Sequence, residues 1–402
     1  MENLLLLVHR IPFPPNKGDK IRSYHLLKHL AQHYRVFLAT FVDDEADWQY
    51  VPQVEALCAG SHFAALNPRS AKVRSLGALL GNRSLSLDYY RDGKLQQWVD
   101  SVMEEQRVSR IVVFSSAMAQ YAEPYVDARR VVDFVDVDSD KWRQYAEKKP
   151  WPMSWLYRHE ARQLLSYERT VARQVDASLF VSAPEADLFR RLAPESTAKI
   201  GHFNNGVDTE FFSPQRSYDN PYQPGEKALV FCGAMDYWPN VDAVQWFADE
   251  VFPAVRAQHP DASFVIVGAR PSPQVQQLAK RAGIQVTGTV PDVRPYVAHA
   301  ALCVAPLRIA RGIQNKVLEA MSMAKTIVVS PQALEGIEAQ PGQSLLLASD
   351  AAQFAATTIA ALDRPDSTIG DRARATVEQR YGWASNLAHV KTLLETVSHA
   401  SH

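Results

Sequence analysis

The sequence predicts an α/β protein built from two parallel-sheet halves. Three observations predict it. The chain has 402 residues, more than one hydrophobic core usually serves. Short apolar runs alternate with helical patterns, and strands without polar/apolar alternation belong to parallel sheets covered on both faces. A cluster of chain breakers at 201–225 interrupts this rhythm, which then restarts.

The first strand is expected at 4–9, followed by a helix over about 20–33 and a strand at 36–41. Segments 110–114, 131–135 and 177–181 read as further buried strands, rich in Val, Ile, Leu or Phe. The breaker segment holds Asn205-Gly206, Ser213-Pro214, Asn220-Pro221 and Pro224-Gly225. Beyond it, strands are expected at 228–232, 263–267, 284–287, 301–304, 326–329 and 344–347. Open α/β sheets bind ligands beyond the carboxyl ends of their strands. Two such sheets facing each other make the cleft between them the expected site.

Bulk composition narrows the function classes. Hydrophobic residues make up 47% and charged residues 22%, with a net charge of −1. That balance is ordinary for a globular protein and gives no global attraction to nucleic acid. Cys58, Cys232 and Cys303 are odd in number and widely spaced, which argues against a disulfide framework and fits a cytoplasmic location. No C-x-x-C suggests zinc. The N-terminus lacks the basic start and long apolar core of a signal peptide. No apolar run approaches the roughly 20 residues of a membrane span.

Three loops after strands of the second half carry candidate chemistry. The loop after 228–232 begins at Gly233 and runs to Asn240; its glycine permits close backbone approach, and the next helix presents unpaired N–H groups. A plain βα turn with Pro239 near the helix start is the alternative. The loop after 284–287 contains Gly288, Val290 and Asp292. Its backbone suits a flat base, whereas the Asp292 side chain suits a helix cap. The third loop opens at Arg311, Gly312 and Gln314 and leads into a helix bearing Lys316 and Glu319. A lysine in the first turn opposes the helix dipole, which suggests an anionic partner. Glu319 lies three residues on, on the same face. The pair is either an internal ion pair or a site where Lys316 meets a diphosphate and Glu319 accepts both hydroxyls of a ribose.

These segments resemble glycosyltransferase family 4. Asn205-Gly206-Val207-Asp208, followed by Phe212, resembles its hinge motif. Lys316-Val317-Leu318-Glu319-Ala320-Met321 resembles its K-x-L-E-A-M helix, and Val181-Ser182 with Glu185 resembles the end of its N-terminal domain. Tyr381-Gly382-Trp383 matches the aromatic mark before its terminal helix. The segments 12–22 and 133–142 are similar to sugar transferases of bacterial exopolysaccharide loci associated with the PEP-CTERM/exosortase system. The resemblance implies a GT-B fold: two Rossmann-like domains with parallel sheets facing an interdomain cleft. The acceptor domain would span 1–203, rejoined by a helix at about 384–402, and the donor domain 204–383. It further implies a retaining, metal-independent hexosyltransferase without a cofactor. Its donor would be a UDP- or GDP-linked sugar, and its acceptor a polyprenyl-diphosphate-linked glycan at the inner membrane face.

Carried over by motif, Glu319 would bind ribose, and Lys316 with the N–H groups from Gly312 would meet the diphosphate. Gly233 and Asn240 would line the donor cleft, Gly288 and Val290 would border the base, and Gly18 would stand near the donor phosphate. Two departures stand out. Arg311 occupies the position, eight residues before Glu319, where many members carry a sugar-binding glutamate. The basic pair common after the first strand of the donor domain is absent, which shifts phosphate binding toward Lys316, Lys17 and Arg22.

Asp136-Val137-Asp138 spells a D-x-D that invites Mg²⁺ or Mn²⁺. Its place after an apolar strand fits better a polar site at a strand end, with Asp136 facing the donor sugar or acceptor and Asp138 capping the next helix. The stretch 68–83 is basic and free of acids, with Val73, Leu76, Leu79 and Leu80 at helical spacing, as in a helix lying on an anionic membrane. An ordinary helix covering the sheet is the alternative. Trp151, Trp155, Tyr157, Arg158 and Arg162 form a second basic-aromatic group. An epimerase or phosphorylase on the same fold, or a non-catalytic sugar-binding scaffold, are the rival functions. A dinucleotide dehydrogenase is disfavoured, because no G-x-G-x-x-G follows the first strand.

Overall fold

The computed structural model describes residues 1–15, 18–81, 83–147, 149–310 and 313–395. The chain forms two compact units, Met1–Asn204 with 386–402, and Asn205–Ser385.

The first unit holds a seven-stranded sheet. Its strands are β1 (Asn3–Val8), β2 (Arg35–Val42), β3 (Gly60–Ala65), β4 (Arg110–Phe114), β5 (Arg129–Val135), β6 (Ala177–Phe180) and β7 (Ile200–His202). Their order is β3-β2-β1-β4-β5-β6-β7, and every pairing is parallel. The second unit holds β8 (Lys227–Cys232), β9 (Ala262–Val267), β10 (Ile284–Gly288), β11 (Leu302–Ala305), β12 (Ile327–Val329) and β13 (Leu346–Leu347) in the order β10-β9-β8-β11-β12-β13, again all parallel. Both orders are Rossmann-like. Each reverses direction at one point, between β1 and β4 in the first sheet and between β8 and β11 in the second.

The cause lies in the strands themselves. Leu4 to Val8 in β1, and Phe264 to Val267 in β9, have no measurable exposure. A strand buried on both faces needs helices on both faces, and the right-handed crossovers between parallel strands supply them. Each unit has its own apolar core.

Two strands, β3 and β7, stand outside the sequence expectations. β7 overlaps the start of the segment read as a linker: Ile200, Gly201 and His202 pair with Ser178, Leu179 and Phe180 before the breakers begin to act. The basic stretch forms a helix, Pro68–Ser75, continued by a tighter turn over Leu76–Gly81. Asn67 caps it by accepting the N–H groups of Arg69 and Ser70.

Two motifs far apart in sequence are joined in the second unit. The Val207 N–H donates to the Tyr381 carbonyl at 2.8 Å, and a Cβ on Gly206 would meet the Trp383 ring and backbone at 2.9 Å. The neighbouring Phe212 carbonyl accepts from Ser322 Oγ at 2.7 Å, at the end of the helix Asn315–Ser322. The 205–212 segment therefore braces the helix that carries Lys316 and Glu319.

Candidate functional site

The reversal point of the second sheet brings three predicted residues together. Gly233 follows β8 directly, and its N–H donates to the Val267 carbonyl of β9. A Cβ at Gly233 would stand 2.7 Å from Asn240 Nδ2 and 3.4 Å from Lys316 Cε. Asn240 is buried in the helix Trp238–Trp246 and donates to the Ala234 carbonyl at 2.9 Å, which fixes the turn. The lysine stem thus runs past bare backbone that only glycine provides. Lys316 Nζ lies 5.5 Å from the Phe231 ring centre and reaches Gln314 Oε1 at 3.4 Å.

Glu319, one helical turn on, is partly exposed. Among the described residues its carboxylate accepts no hydrogen bond and joins no ion pair, so the simple Lys316–Glu319 bridge is not formed. Burial pushes the Glu319 carboxyl up to about 7, against the opposing charge of Lys316. Burial also lowers the Lys316 ammonium, with Glu319 acting the other way. Lys316 and Glu319 thus perturb each other's ionisation across a short distance without an ion pair among the described residues.

Gly288 ends β10 with φ of +70°, the left-handed backbone that favours glycine, and Val290 is half-buried in the loop beyond. Asp292 accepts from the N–H and the guanidinium of Arg294, but the cap position of the short helix Arg294–Ala298 is Val293, so the main partner of Asp292 is the Arg294 side chain. Arg294 stacks over Phe211 at 3.6 Å. Gln314 immediately precedes the helix Asn315–Ser322 without capping it through its side chain. Lys17, Arg311 and Gly312 lie outside the described residues.

The first unit carries a second polar group at its own reversal point. Gly18 opens the helix Gly18–Ala31. Asp19 in its first turn faces Arg10 at 2.7 Å and His9 Nε2 at 3.5 Å. Burial opposes ionisation there, but the His9 hydrogen bond and the Arg10 charge hold Asp19 well below the usual carboxylate range. The His9 ring stacks on Phe114 with centroids 5.7 Å apart.

Arg22 departs from its expected role. It has no exposed surface, pairs with Asp133 at 2.7 Å and donates to the Phe203 carbonyl. Its charge is an internal counter-ion rather than a phosphate contact. Asp136 and Asp138 both bind Lys141, at 2.6 and 3.2 Å. Asp138 stands within the helix Asp138–Glu147 rather than before it, so its partner is Lys141 and not a helix N–H.

Sequence reasoning missed the support beneath this loop. The Val137 N–H donates to Glu185 at 2.9 Å, and Ser139 donates to Glu168 through its hydroxyl at 2.5 Å and its N–H at 3.3 Å. Burial pushes Glu168 up to about 8. Ser115 and Val135, at the ends of β4 and β5, adopt φ of +80° and +69°, a strained choice for a β-branched valine. Glu168 falls at the core-facing spacing of its helix beside Leu164 and Val171 and was readable as a buried acid; the two strained dihedrals leave no mark in residue type.

Comparison with known proteins bears on this arrangement. Residues 226–364 match the family model described as Glycosyl transferases group 1. That match contains Gly233, Asn240, Gly288, Lys316 and Glu319. No curated protein sequence matches the chain significantly. Among solved structures, Anabaena HepE in complex with UDP aligns over 99% of this chain and 100% of its own, at 14% identity and a TM-score of 0.64. A sucrose-phosphate synthase from Thermosynechococcus elongatus aligns over 98% of each chain, with 14% identity and a TM-score of 0.62. WaaG, a glycosyltransferase involved in lipopolysaccharide biosynthesis, aligns over 98% of this chain and 100% of its own, with 14% identity and a TM-score of 0.61. At such identities the likeness establishes the fold, which is GT-B: two Rossmann-like units with sheets of seven and six parallel strands. The second of these units carries the glycosyltransferase match.

Proposed function

We propose that the chain is a retaining glycosyltransferase that moves a hexose from a nucleoside diphosphate to a hydroxyl of a growing, lipid-linked exopolysaccharide. The observation that carries this is Lys316 and Glu319, which form no ion pair among the described residues, beside Gly233 at the reversal point of β8 and β11, inside the segment matching Glycosyl transferases group 1. Similar structures hold UDP and UDP-glucose, which favours a nucleotide-sugar donor.

In this reading Lys316 balances the diphosphate and Glu319 accepts the two ribose hydroxyls, one per oxygen. Gly288 and Val290 border the base. The bond from the anomeric carbon to the diphosphate oxygen breaks while the acceptor oxygen bonds to that carbon on the same face. The departing phosphate takes the acceptor proton, so no protein nucleophile is required. Lys316 stabilises charge as it develops on the leaving group. Asp136, tied to Lys141 at the end of β5, orients the acceptor or donor sugar. The role in PEP-CTERM/exosortase-associated exopolysaccharide synthesis, the cytoplasmic location and a contact of 68–83 with the inner membrane belong to the same proposal.

A panel of UDP- and GDP-sugars in a thermal-shift assay tests it, because a ligand bound only by the folded state raises the melting temperature. One nucleotide class is expected to raise it. An unchanged temperature across the panel would refute the donor site.

A further inference from the structure

The described residues of the first unit expose nine large hydrophobic side chains, and six fall in two short segments: Val73 and Leu76 in one, Tyr145, Trp151, Met153 and Trp155 in the other. Trp151 is 79% exposed and Val73 72%. Scattered exposed apolar residues need no explanation, but concentrated ones do.

The two segments meet through their supports. Trp155 stacks on His159 with ring centres 5.9 Å apart, and a ring nitrogen of His159 lies 3.3 Å from the Arg83 carbonyl. Glu160 accepts from Ser84 Oγ at 2.8 Å and from the N–H groups of Leu85 and Ser86 at 2.6 and 3.0 Å. It thereby holds the start of the helix Leu85–Tyr89. Arg74 donates to the Tyr89 carbonyl at 3.2 Å, tying the helix Pro68–Ser75 to the same element. The start of the long helix Met153–Gln174 and the basic helix are thus fastened to one short helix.

The charge in these segments is mostly positive. Positions 68–83 contain Arg69, Lys72, Arg74 and Arg83 and no acid; positions 145–159 contain Lys148, Lys149 and Arg158 and one acid, Glu147, which pairs with Arg143 at 2.7 Å. Arg69, Lys72, Arg74, Lys149 and Arg158 are exposed, and among the described residues none of the five pairs with a carboxylate. The whole chain, by contrast, carries a net charge of −1, so these cations are a local concentration.

We propose that this face seats on an anionic lipid bilayer, with Trp151, Met153 and Trp155 entering the boundary between headgroups and acyl chains. Tryptophan favours that boundary because its ring is apolar and its N–H is polar. Clustered lysine and arginine add attraction to acidic headgroups. Protein interfaces deplete lysine at their apolar centre, whereas here cations stand among the apolar tips. Among the described residues no helix is long and apolar enough to cross a membrane, so seating on the surface is the mode available to this face. The proposal deepens the lipid-linked acceptor reading but draws on different residues from the donor site.

Co-sedimentation of the full chain with vesicles tests it without nucleotide or sugar. Binding is expected to vesicles of equal phosphatidylcholine and phosphatidylglycerol, to weaken with salt, and to be slight on phosphatidylcholine alone. Lys72→Gln and Arg74→Gln should each weaken binding about fivefold. Trp151→Ala with Trp155→Ala should weaken it further and abolish the blue shift of tryptophan emission that vesicles cause. Equal binding to both vesicle types, no binding, or unchanged binding by the variants would overturn the proposal. UDP titration of the same variants separates the two readings: retained UDP affinity with lost vesicle binding is expected. Vesicle binding without any nucleotide affinity would sink the donor site alone.

Discussion

Glu319 sits in a setting that raises its proton affinity to near neutrality, and this gives the donor site a pH signature. If its carboxylate accepts the ribose hydroxyls, nucleotide affinity rises as the group ionises through about pH 7. Isothermal titration of UDP from about pH 6 to pH 8.5 should show a steeper rise for the wild type than for Glu319→Gln, because the phosphate's own titration is common to both. Coincident profiles would remove Glu319 from the site. Glu168 offers a stability test with a definite sign. Its folded value of about 8 exceeds the ordinary 4.5, so the native state holds the extra proton between these values and stability falls as pH rises through that window. Glu168→Gln keeps the acceptor for Ser139 and removes the ionisation. Its melting temperature relative to wild type should be greatest above pH 8 and should shrink toward pH 5; a pH-independent difference would contradict the assignment.

At the scale of elements, the donor site depends on backbone closeness more than on side-chain length. Gly233→Ala places a Cβ 2.7 Å from Asn240 Nδ2 and 3.4 Å from Cε of the Lys316 stem. Overpacking of this kind costs about 1–3 kcal/mol, and here it also shifts the lysine. Denaturant unfolding should show the stability loss, and UDP titration a larger relative loss of affinity than Gly206→Ala produces. The Gly206 change meets Trp383 instead and tests the joint between the two motifs; its loss should register mainly as stability.

The elements also show what the sequence made legible. β1, β2, β4, β5, β8 and β9 are inner strands whose continuous Leu, Val, Ile and Phe runs have no competing interpretation. The two missed strands, β3 and β7, form the edges of the first sheet. An edge strand has one neighbour and needs less apolar surface, so Gly60-Ser61-His62 and Ile200-Gly201-His202 give weak signals. Gly233, Lys316 and Glu319 were visible by position and motif. The burial of Arg22 was not, because its acidic partner Asp133 lies 111 positions away and local pattern carries no information about that pairing.

At the scale of the molecule, length alone called for two cores, and two appear, each beneath its own parallel sheet. Both sheets place their polar residues at the reversal of strand order, where crossover connections diverge and leave backbone N–H groups uncovered. The second unit supplies Gly233, Lys316 and Glu319 at that place; the first supplies His9, Asp19 and Asp136 near its own. In the proposed function it is Gly233, Lys316 and Glu319 that hold a nucleoside diphosphate. Isothermal titration of UDP and GDP against the wild type, Lys316→Ala, Glu319→Ala and the surface variant Trp155→Ala tests it most directly. Saturable binding of one nucleotide, weakened at least tenfold by either site substitution (about 1.4 kcal/mol) and unchanged in Trp155→Ala, is the predicted result. Binding that survives both site substitutions, or no binding of either nucleotide by the folded wild type, would contradict it.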